Sequence, residues 1–144
     1  VDQGNNTIAR YTYNALGQRV KKEVEGTTTI FHYDFNGNLI GEGSEDGEII
    51  SEYLYLRSKR LAKVDLEDNA IYYYLNDHLG TPQLMIDDQG MVVWEASYRP
   101  FGEAVVHPKS SVVNNFRFPG QYHDEEAEIN YNYFRYYYLY YITL

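Results

Sequence analysis

Asp77 and His78 are the neighbouring residues in this sequence that most resemble an acid–base catalyst. An adjacent carboxylate and imidazole can exchange a proton during acid–base chemistry. Neighbouring residues of a β-strand, however, point to opposite faces of a sheet, and no nucleophile stands at a matching spacing. We therefore expect the pair to lie in a turn, where the short aspartate side chain accepts backbone hydrogen bonds.

The three remaining histidines, His32, His107 and His123, have no metal-ligand spacing, because none has a second histidine within one helical turn. The chain contains no cysteine, which excludes thiolate chemistry and disulfide bonds. The glycines between residues 41 and 47 are not followed by the Lys-Ser/Thr pair and helix of a phosphate-binding loop. The sequence thus predicts neither a metal site nor a bound cofactor.

The acidic residues raise the question of aspartic proteolysis, which needs two carboxylates close enough to share one proton. Asp77 and Asp124 would meet only if the sheet folded back on itself, and the sequence leaves this open. We expect instead that Asp124 forms buried ion pairs with Arg117 and Arg135, and that these pairs pin the C-terminal part of the chain. Removing one partner from such a pair costs several kcal/mol.

Turn-forming residues recur along the chain at intervals of about 9 to 12 residues. The runs between them are rich in Tyr, Val, Ile, Thr and Phe, which favour strands. This pattern predicts an all-β fold, a long antiparallel meander in which each interval supplies one strand and one turn. Helical periodicity is weak, and only residues 124–131 could form a turn or two of helix. The predicted strands cover residues 8–14, 18–25, 28–34, 38–44, 49–56, 60–66, 70–75, 83–87, 91–98 and 115–119.

A tyrosine followed four residues later by a glycine is a repeated unit of the chain. It occurs as Tyr13 and Gly17, Tyr33 and Gly37, and Tyr98 and Gly102. Between the two residues a short polar side chain such as Asp34 can cap the turn, and the glycine supplies a positive φ. The chain has 17 tyrosines but only six phenylalanines. Either the tyrosines form a sheet core that is too wet for Phe, or they form an aromatic surface for sugars or another chain.

The net charge of −9 argues against binding to nucleic acid or to anionic membranes. No run of 18 apolar residues is present, so the sequence predicts no membrane insertion. A polar loop over residues 106–115, which contains Pro108, interrupts the strand pattern. We expect one continuous domain in three parts: a meander over residues 1–105, this loop, and a C-terminal block over residues 116–144.

The repeated tyrosine–glycine unit resembles the YD repeat of Rhs proteins. Residues 76–82 (NDHLGTP) are similar to a signature of the Rhs repeat-associated core, and residues 94–103 are similar to the segment that follows it. Residues 117–126 and 131–137 resemble the Gly-Gln-Tyr-Asp-Glu and Tyr-Asn-Arg-Tyr-Tyr blocks of that core. The resemblance covers residues 8–137. The structural motif residues are Tyr13, Gly17, Tyr33, Asp34, Gly37, Asp77, His78, Gly80, Pro82, Tyr98, Pro100, Gly102, Arg117, Gly120, Gln121, Asp124, Arg135, Tyr136 and Tyr137.

The resemblance implies a structural shell. In this family many YD repeats wind into a hollow β-cocoon, the core closes one end, and a variable C-terminal toxin is held inside. The expected partners are therefore the rest of the shell and an enclosed polypeptide, and the expected location is secreted or on the cell surface, in a bacterium. The family also implies two alternatives, a self-processing aspartic peptidase and an adhesion surface that binds carbohydrate.

The last stretch of the chain departs from the family pattern. The family has Asp-Pro after Arg-Tyr-Tyr and a second Asp-Pro at the cleavage point, whereas here residues 138–144 read YLYYITL. Because these aspartates are absent, we expect no self-cleavage and no hydrolytic activity. Residues 136–144 are uncharged and rich in strand-forming residues, which predicts self-association through a sheet edge.

Overall fold

The computed structural model describes residues 1–3 and 6–138. The described chain consists almost entirely of β-strands joined by tight turns. One 3-10 helix, η1, covers Glu125–Ala127. The strands are β1 (Asp2–Gln3), β2 (Asn6–Thr7), β3 (Ala9–Tyr13), β4 (Arg19–Val24), β5 (Thr27–Tyr33), β6 (Leu39–Gly43), β7 (Ile49–Leu56), β8 (Lys59–Asp65), β9 (Ala70–Asn76), β10 (Pro82–Ile86), β11 (Val92–Tyr98), β12 (Ala104–Val106), β13 (Tyr122–Asp124), β14 (Ile129–Asn132) and β15 (Arg135–Tyr138).

Strands β3 to β12 form one ten-stranded sheet in which every strand pairs with its neighbours in sequence. All of these pairs are antiparallel, because each connection is a turn too short for a crossover. The predicted all-β antiparallel meander is therefore confirmed, and nine of the predicted strands correspond to β3–β11. The sequence prediction did not include β12, a short strand at the edge of the sheet.

The predicted strand over residues 115–119 is wrong. Phe116 forms only an isolated bridge with Tyr122, because the chain turns back at Phe118–Gln121, where the N–H of Gln121 donates to the carbonyl of Phe118 at 2.8 Å. Pro119 lies inside this turn and has no N–H to donate to a strand ladder. Beyond it, β13, β14 and β15 form a separate three-stranded sheet that the strand pattern did not predict.

Of the turn or two of helix that residues 124–131 could form, the structure contains one turn, η1. It ends at Glu128, whose φ of 52° is left-handed, and the chain then enters β14. Residues 129–131 therefore belong to a strand and not to a helix. Tyr131 illustrates the reason, because its side chain is buried against the ten-stranded sheet. This tertiary contact favours a strand over a helix, since a helix here would leave about half of its residues exposed.

The hydrophobic core lies between one face of the ten-stranded sheet and the C-terminal block. The sheet contributes buried side chains that include Tyr53, Met85 and Trp94. The block contributes Phe116, whose ring meets the ring of Tyr53 edge-to-face at a centroid distance of 4.7 Å. Such aromatic pairs add about 0.5–1.5 kcal/mol to the burial of their area. The block is therefore packed onto the sheet by large aromatic side chains.

Several half-buried tyrosines pack against the core and donate their hydroxyl groups to the neighbouring strand. Each donor is the last or next-to-last residue of its strand, and each acceptor is a carbonyl at the start of the preceding strand. The pairs are Tyr33 with Arg19 at 2.9 Å, Tyr55 with Leu39 at 2.9 Å, and Tyr98 with Pro82 at 2.8 Å. Phenylalanine could fill the same space but would lose these hydrogen bonds. For these positions the interpretation of the tyrosines as a wet sheet core is confirmed.

Candidate functional site along the repeated turns

The repeated turns lie at one end of the sheet and are capped by short polar side chains. Oδ1 of Asp34 accepts hydrogen bonds from the N–H groups of Asn36 and Asn38, each at 2.8 Å. Oδ1 of Asp77 does the same for Leu79 and Thr81, each at 2.9 Å. Desolvation opposes the effect, but these hydrogen bonds, together with one from Nδ2 of Asn38 to Asp34, lower the pKa of both aspartates below the ordinary value.

The pair of Asp77 and His78 occupies such a turn, as predicted. The carboxylate is engaged by the two backbone N–H groups, and the imidazole of His78 is exposed to solvent. Nothing in this geometry directs the imidazole and the carboxylate toward a common substrate. The arrangement orders the turn between β9 and β10.

The C-terminal block crosses the ends of these turns with aromatic side chains. The ring of Phe134 lies against Gly17, and that of Phe118 lies against Gly102. A Cβ on Gly102 would lie 2.9 Å from Cε2 of Phe118, and both glycines have a positive φ, 77° and 89°. Between them, the hydroxyl of Tyr133 donates to the carbonyl of Gly37. Glycine is required at these turns both for the backbone angle and for the close approach of the block.

Arg19, at the start of β4, and Asp124, at the end of β13, form a fully buried ion pair between the sheet and the block. Their side chains are 1% and 0% exposed. Lys22 extends the cluster, with Nζ 3.5 Å from Oδ1 of Asp124 and 3.3 Å from Oε2 of Glu126. Burial raises the pKa of Asp124 above its ordinary value, although the positive charges of Arg19 and Lys22 oppose this shift.

Aromatic rings surround the guanidinium of Arg19. Its Cζ lies 4.5 Å from the ring centroid of Tyr131, 4.8 Å from that of Tyr11 and 4.9 Å from that of Phe31. Burial opposes protonation, but the hydrogen bond and charge of Asp124 hold the pKa of Arg19 above its usual range. The faces of aromatic rings attract cations most strongly when water is excluded. Arg19 is thus a centre around which the sheet and the block assemble.

The expectation that Asp124 pairs with Arg117 and Arg135 is wrong. The guanidinium of Arg117 donates instead to the backbone carbonyls of Asn114 and Phe116, at 2.7 and 2.9 Å. Burial lowers the pKa of Arg117. Arg135 is exposed. Arg19 replaces them as the partner of Asp124, and it lies 105 residues away in sequence, so only the folded chain brings the two together.

The other motif residues have mainly packing roles. Pro82 is fully buried, and Pro100 is exposed in the turn after β11. Oε1 of Gln121 accepts a hydrogen bond from Asn130 at 3.1 Å. A Cβ on Gly120 would lie 3.1 Å from Oδ1 of Asn132. The remaining positions are Tyr136, whose hydroxyl bonds that of Tyr13, the half-buried Gly80 and the exposed Tyr137.

A cavity of about 370 Å³ lies between the sheet and the C-terminal block, at the end where the turns are. Arg19 and Arg60 contribute to its lining, as do Tyr55, Phe116 and Tyr133. Sequence reasoning missed both arginines. Each stands just after a repeated turn, at or next to the first position of an even-numbered strand, and a basic residue recurring there among tyrosines was the available signal.

Within residues 1–3 and 6–138, no group of three or more His, Cys, Asp or Glu side chains could hold a metal ion. None of the helices in this described part is both long and apolar enough to cross a bilayer. Asp77 and Asp124 have different partners, a pair of backbone N–H groups and the Arg19–Lys22 cluster, so the described contacts do not join them in a shared-proton dyad.

The described residues thus form a ten-stranded antiparallel meander with aromatic residues of a C-terminal block laid across its turns. Residues 71–107 match the family model described as RHS protein. The chain is 38% identical over 168 aligned positions to the toxin protein Tse5 of Pseudomonas aeruginosa. This alignment covers 93% of this chain and 13% of Tse5. It is 30% identical over 133 positions to the tRNA nuclease WapA of Bacillus subtilis, covering 90% and 6%.

Solved structures share the fold. The Photorhabdus luminescens Tc holotoxin pore matches with a TM-score of 0.65 at 21% identity, over 95% of this chain and 7% of that one. A TcdB2–TccC3 structure without its hypervariable C-terminal region matches with a TM-score of 0.60 at 18% identity, covering 95% and 7%. The chain belongs to the Rhs/YD-repeat family. It spans only a small part of its relatives, 13% of Tse5 and 6% of WapA.

Proposed function

We propose that this chain is a wall segment of a larger β-shell that encloses or presents another polypeptide, such as a C-terminal toxin. The observation that carries the proposal is the open, single-layered sheet. Among the described residues, β12 pairs on one side only, and the outer side of β3 is engaged only where Ala9 bonds Val1, so both edges can continue into further strands. Strand-by-strand continuation of a twisted sheet is how a repeat architecture grows into a curved wall.

The C-terminal block serves as an end piece of this wall. It spans the turn ends from Gly17 to Gly102 and shares one hydrophobic core with the sheet. This shared core supports our proposal that residues 1–144 act as one continuous domain. The same open edges would associate with other copies when the rest of the shell is missing. As part of a bacterial toxin-type shell, the protein would be secreted or displayed at the cell surface.

The proposed role is structural and not hydrolytic. The carboxylates of Asp77 and Asp124, the two candidates for proteolysis, are engaged in turn capping and in a buried ion pair. A carboxylate that is held by a buried guanidinium cannot readily share a proton with a second carboxylate. Self-cleavage would therefore require a pair of carboxylates other than Asp77 and Asp124.

Protease protection in the complete gene product tests the proposal. The polypeptide encoded together with this segment is tagged and digested with proteinase K, both within the complete protein and when expressed alone. We expect the tagged part to survive much longer within the complete protein. Equal digestion rates in the two settings would refute enclosure. As a control, Asp124→Asn should loosen the end piece and restore digestion, whereas the exposed change Arg99→Gln should not.

A further inference from the structure

The cavity under the C-terminal block has an unusual electrostatic composition for this protein. The whole chain contains 21 acidic and 12 basic residues and has a net charge of −9. The cavity lining nevertheless includes two arginines, Arg19 and Arg60, and none of its described residues is Asp or Glu. A pocket that has arginines and no carboxylates in its lining has a locally positive electrostatic potential, even in an acidic protein, and therefore attracts an anion.

The two arginines differ in how far their charges are already neutralised. Arg19 is compensated by Asp124, although its buried Nε has no hydrogen-bond partner among the described residues. Arg60 takes part in none of the ion pairs of the described residues. The cavity therefore has about one uncompensated positive charge, which matches a ligand with a single negative charge better than a polyphosphate.

The guanidinium of Arg60 is held in place before any ligand arrives. Its Cζ lies 3.1 Å from the ring centroid of Phe116, and its Nε donates to the hydroxyl of Tyr55 at 3.2 Å. No described residue accepts a hydrogen bond from its two terminal nitrogens. A fixed guanidinium with both terminal nitrogens available has the fork geometry that binds a carboxylate with two hydrogen bonds.

The rest of the lining suits a peptide. Aromatic rings such as those of Tyr55 and Phe116 provide apolar walls, and Ser58, Gln121 and Asn132 provide neutral polar groups that can bond peptide amides. The volume of about 370 Å³ is near the lower end for ligand sites in proteins, enough for a short segment of chain.

We infer that this cavity is a binding site for a peptide segment with one carboxylate, which Arg60 receives between its terminal nitrogens. The carboxylate is either an Asp or Glu side chain or the carboxyl terminus of the peptide. We take the peptide to be part of the polypeptide that the shell encloses, and this identification of its source rests on the proposed function. The binding itself does not, so peptide titrations and protease protection can fail independently.

Three synthetic pentapeptides test the site in NMR titrations of the isotopically labelled 144-residue chain. The first is acetyl-Gly-Leu-Asp-Leu-Gly-amide, the second replaces Asp by Asn, and the third is acetyl-Gly-Leu-Ala-Leu-Gly with a free carboxyl terminus. We expect at least one of the two charged peptides to bind with an affinity at least about tenfold higher than that of the neutral peptide. The charged peptide with the higher affinity shows whether the carboxylate comes from a side chain or from the carboxyl terminus. Equal affinities of all three peptides would overturn the inference.

Three variants locate the binding. Arg60→Gln should abolish the advantage of the charged peptide, whereas Arg99→Gln, which alters an exposed arginine, should preserve it. Because Arg60 packs on Phe116 and its loss can impair folding, Ser58→Phe provides a second test. Ser58 is exposed at the cavity mouth, and a larger side chain there should block all three peptides while leaving the melting temperature unchanged.

Other occupants are distinct outcomes of the same titrations. Tighter binding of inorganic phosphate than of either charged peptide would overturn the inference in favour of a phosphate site. Binding that appears only after residues 139–144 are deleted would identify the chain's own C-terminal segment as the occupant and would also overturn it. Unchanged affinity in both Arg60→Gln and Ser58→Phe would place the peptide elsewhere on the protein.

Discussion

Breaking the buried pair of Arg19 and Asp124 should destabilise the protein more than breaking any other ion pair among the described residues. Both side chains are 1% exposed or less, so removing one partner leaves a charge in a place that water does not reach. Such a deletion typically costs about 3–5 kcal/mol. Asp124→Asn should fall near the lower end of this range, because the aromatic rings around Arg19 continue to stabilise its charge.

Arg19→Met should cost about 1–2 kcal/mol more than Asp124→Asn. It removes the ion pair and the cation–π contacts, each worth up to about 2 kcal/mol when desolvated. It also leaves the carboxylate of Asp124 with Lys22 as its remaining positive partner, at 3.5 Å. The double variant Arg19→Met with Asp124→Asn should cost about 2 kcal/mol less than the sum of the two single losses, because neither Arg19 nor Asp124 remains as an unpaired buried charge.

Urea denaturation followed by tryptophan fluorescence measures these differences, because Trp94 is buried in the core. The midpoint and the slope of each transition give the free energy of unfolding. The exposed pair of Arg99 and Glu103 is the matched control, and Arg99→Met should change stability by less than about 1 kcal/mol. A cost below about 1 kcal/mol for Asp124→Asn, or strict additivity in the double variant, would refute the assignment of this pair as the link between the sheet and the block.

Three further predictions concern the turns and the sheet edge. Gly26→Ala should cost about 1 kcal/mol from its positive φ alone, since nothing lies within 4 Å, whereas Gly17→Ala should cost about 1–3 kcal/mol more in urea denaturation because its Cβ would meet Phe134. The pKa values of Asp34 and Asp77 are lower in the folded protein, so their contribution to stability is complete above the unfolded value of about 4 and is lost as the pH falls through the folded values. Converting both to Asn, which caps the first turn in the same way, should reduce the acid-induced shift of the urea midpoint; an unchanged shift would contradict this assignment. Deleting residues 138–144 should reduce self-association in light scattering while the circular dichroism of the sheet persists, and a fully monomeric 144-residue chain at high concentration would argue against association through open edges.

The meander could be predicted from the sequence because its determinants are local. The turn of Asp34 depends on N–H groups two and four residues away, and the strand that follows depends on the alternation of its own side chains. The strand prediction failed where local signals gave way to tertiary contacts. Residues 115–119 contain strand-forming aromatic residues, but the side chain of Phe116 is buried against Tyr53, and Pro119 lies in a turn that reverses the chain.

The sequence by itself determined the order of β3–β11, the turn chemistry and the family, since each strand, turn and motif is formed by residues close together in the chain. Only the tertiary structure decided that Asp124 pairs with Arg19 rather than Arg117, and that Arg60 stacks on Phe116 beside a cavity without acidic residues. The physical reason is that a buried charge must take its partner from whatever the packing of distant segments brings within hydrogen-bond reach. Residue types reveal that such a charge needs a partner, and the fold selects which one.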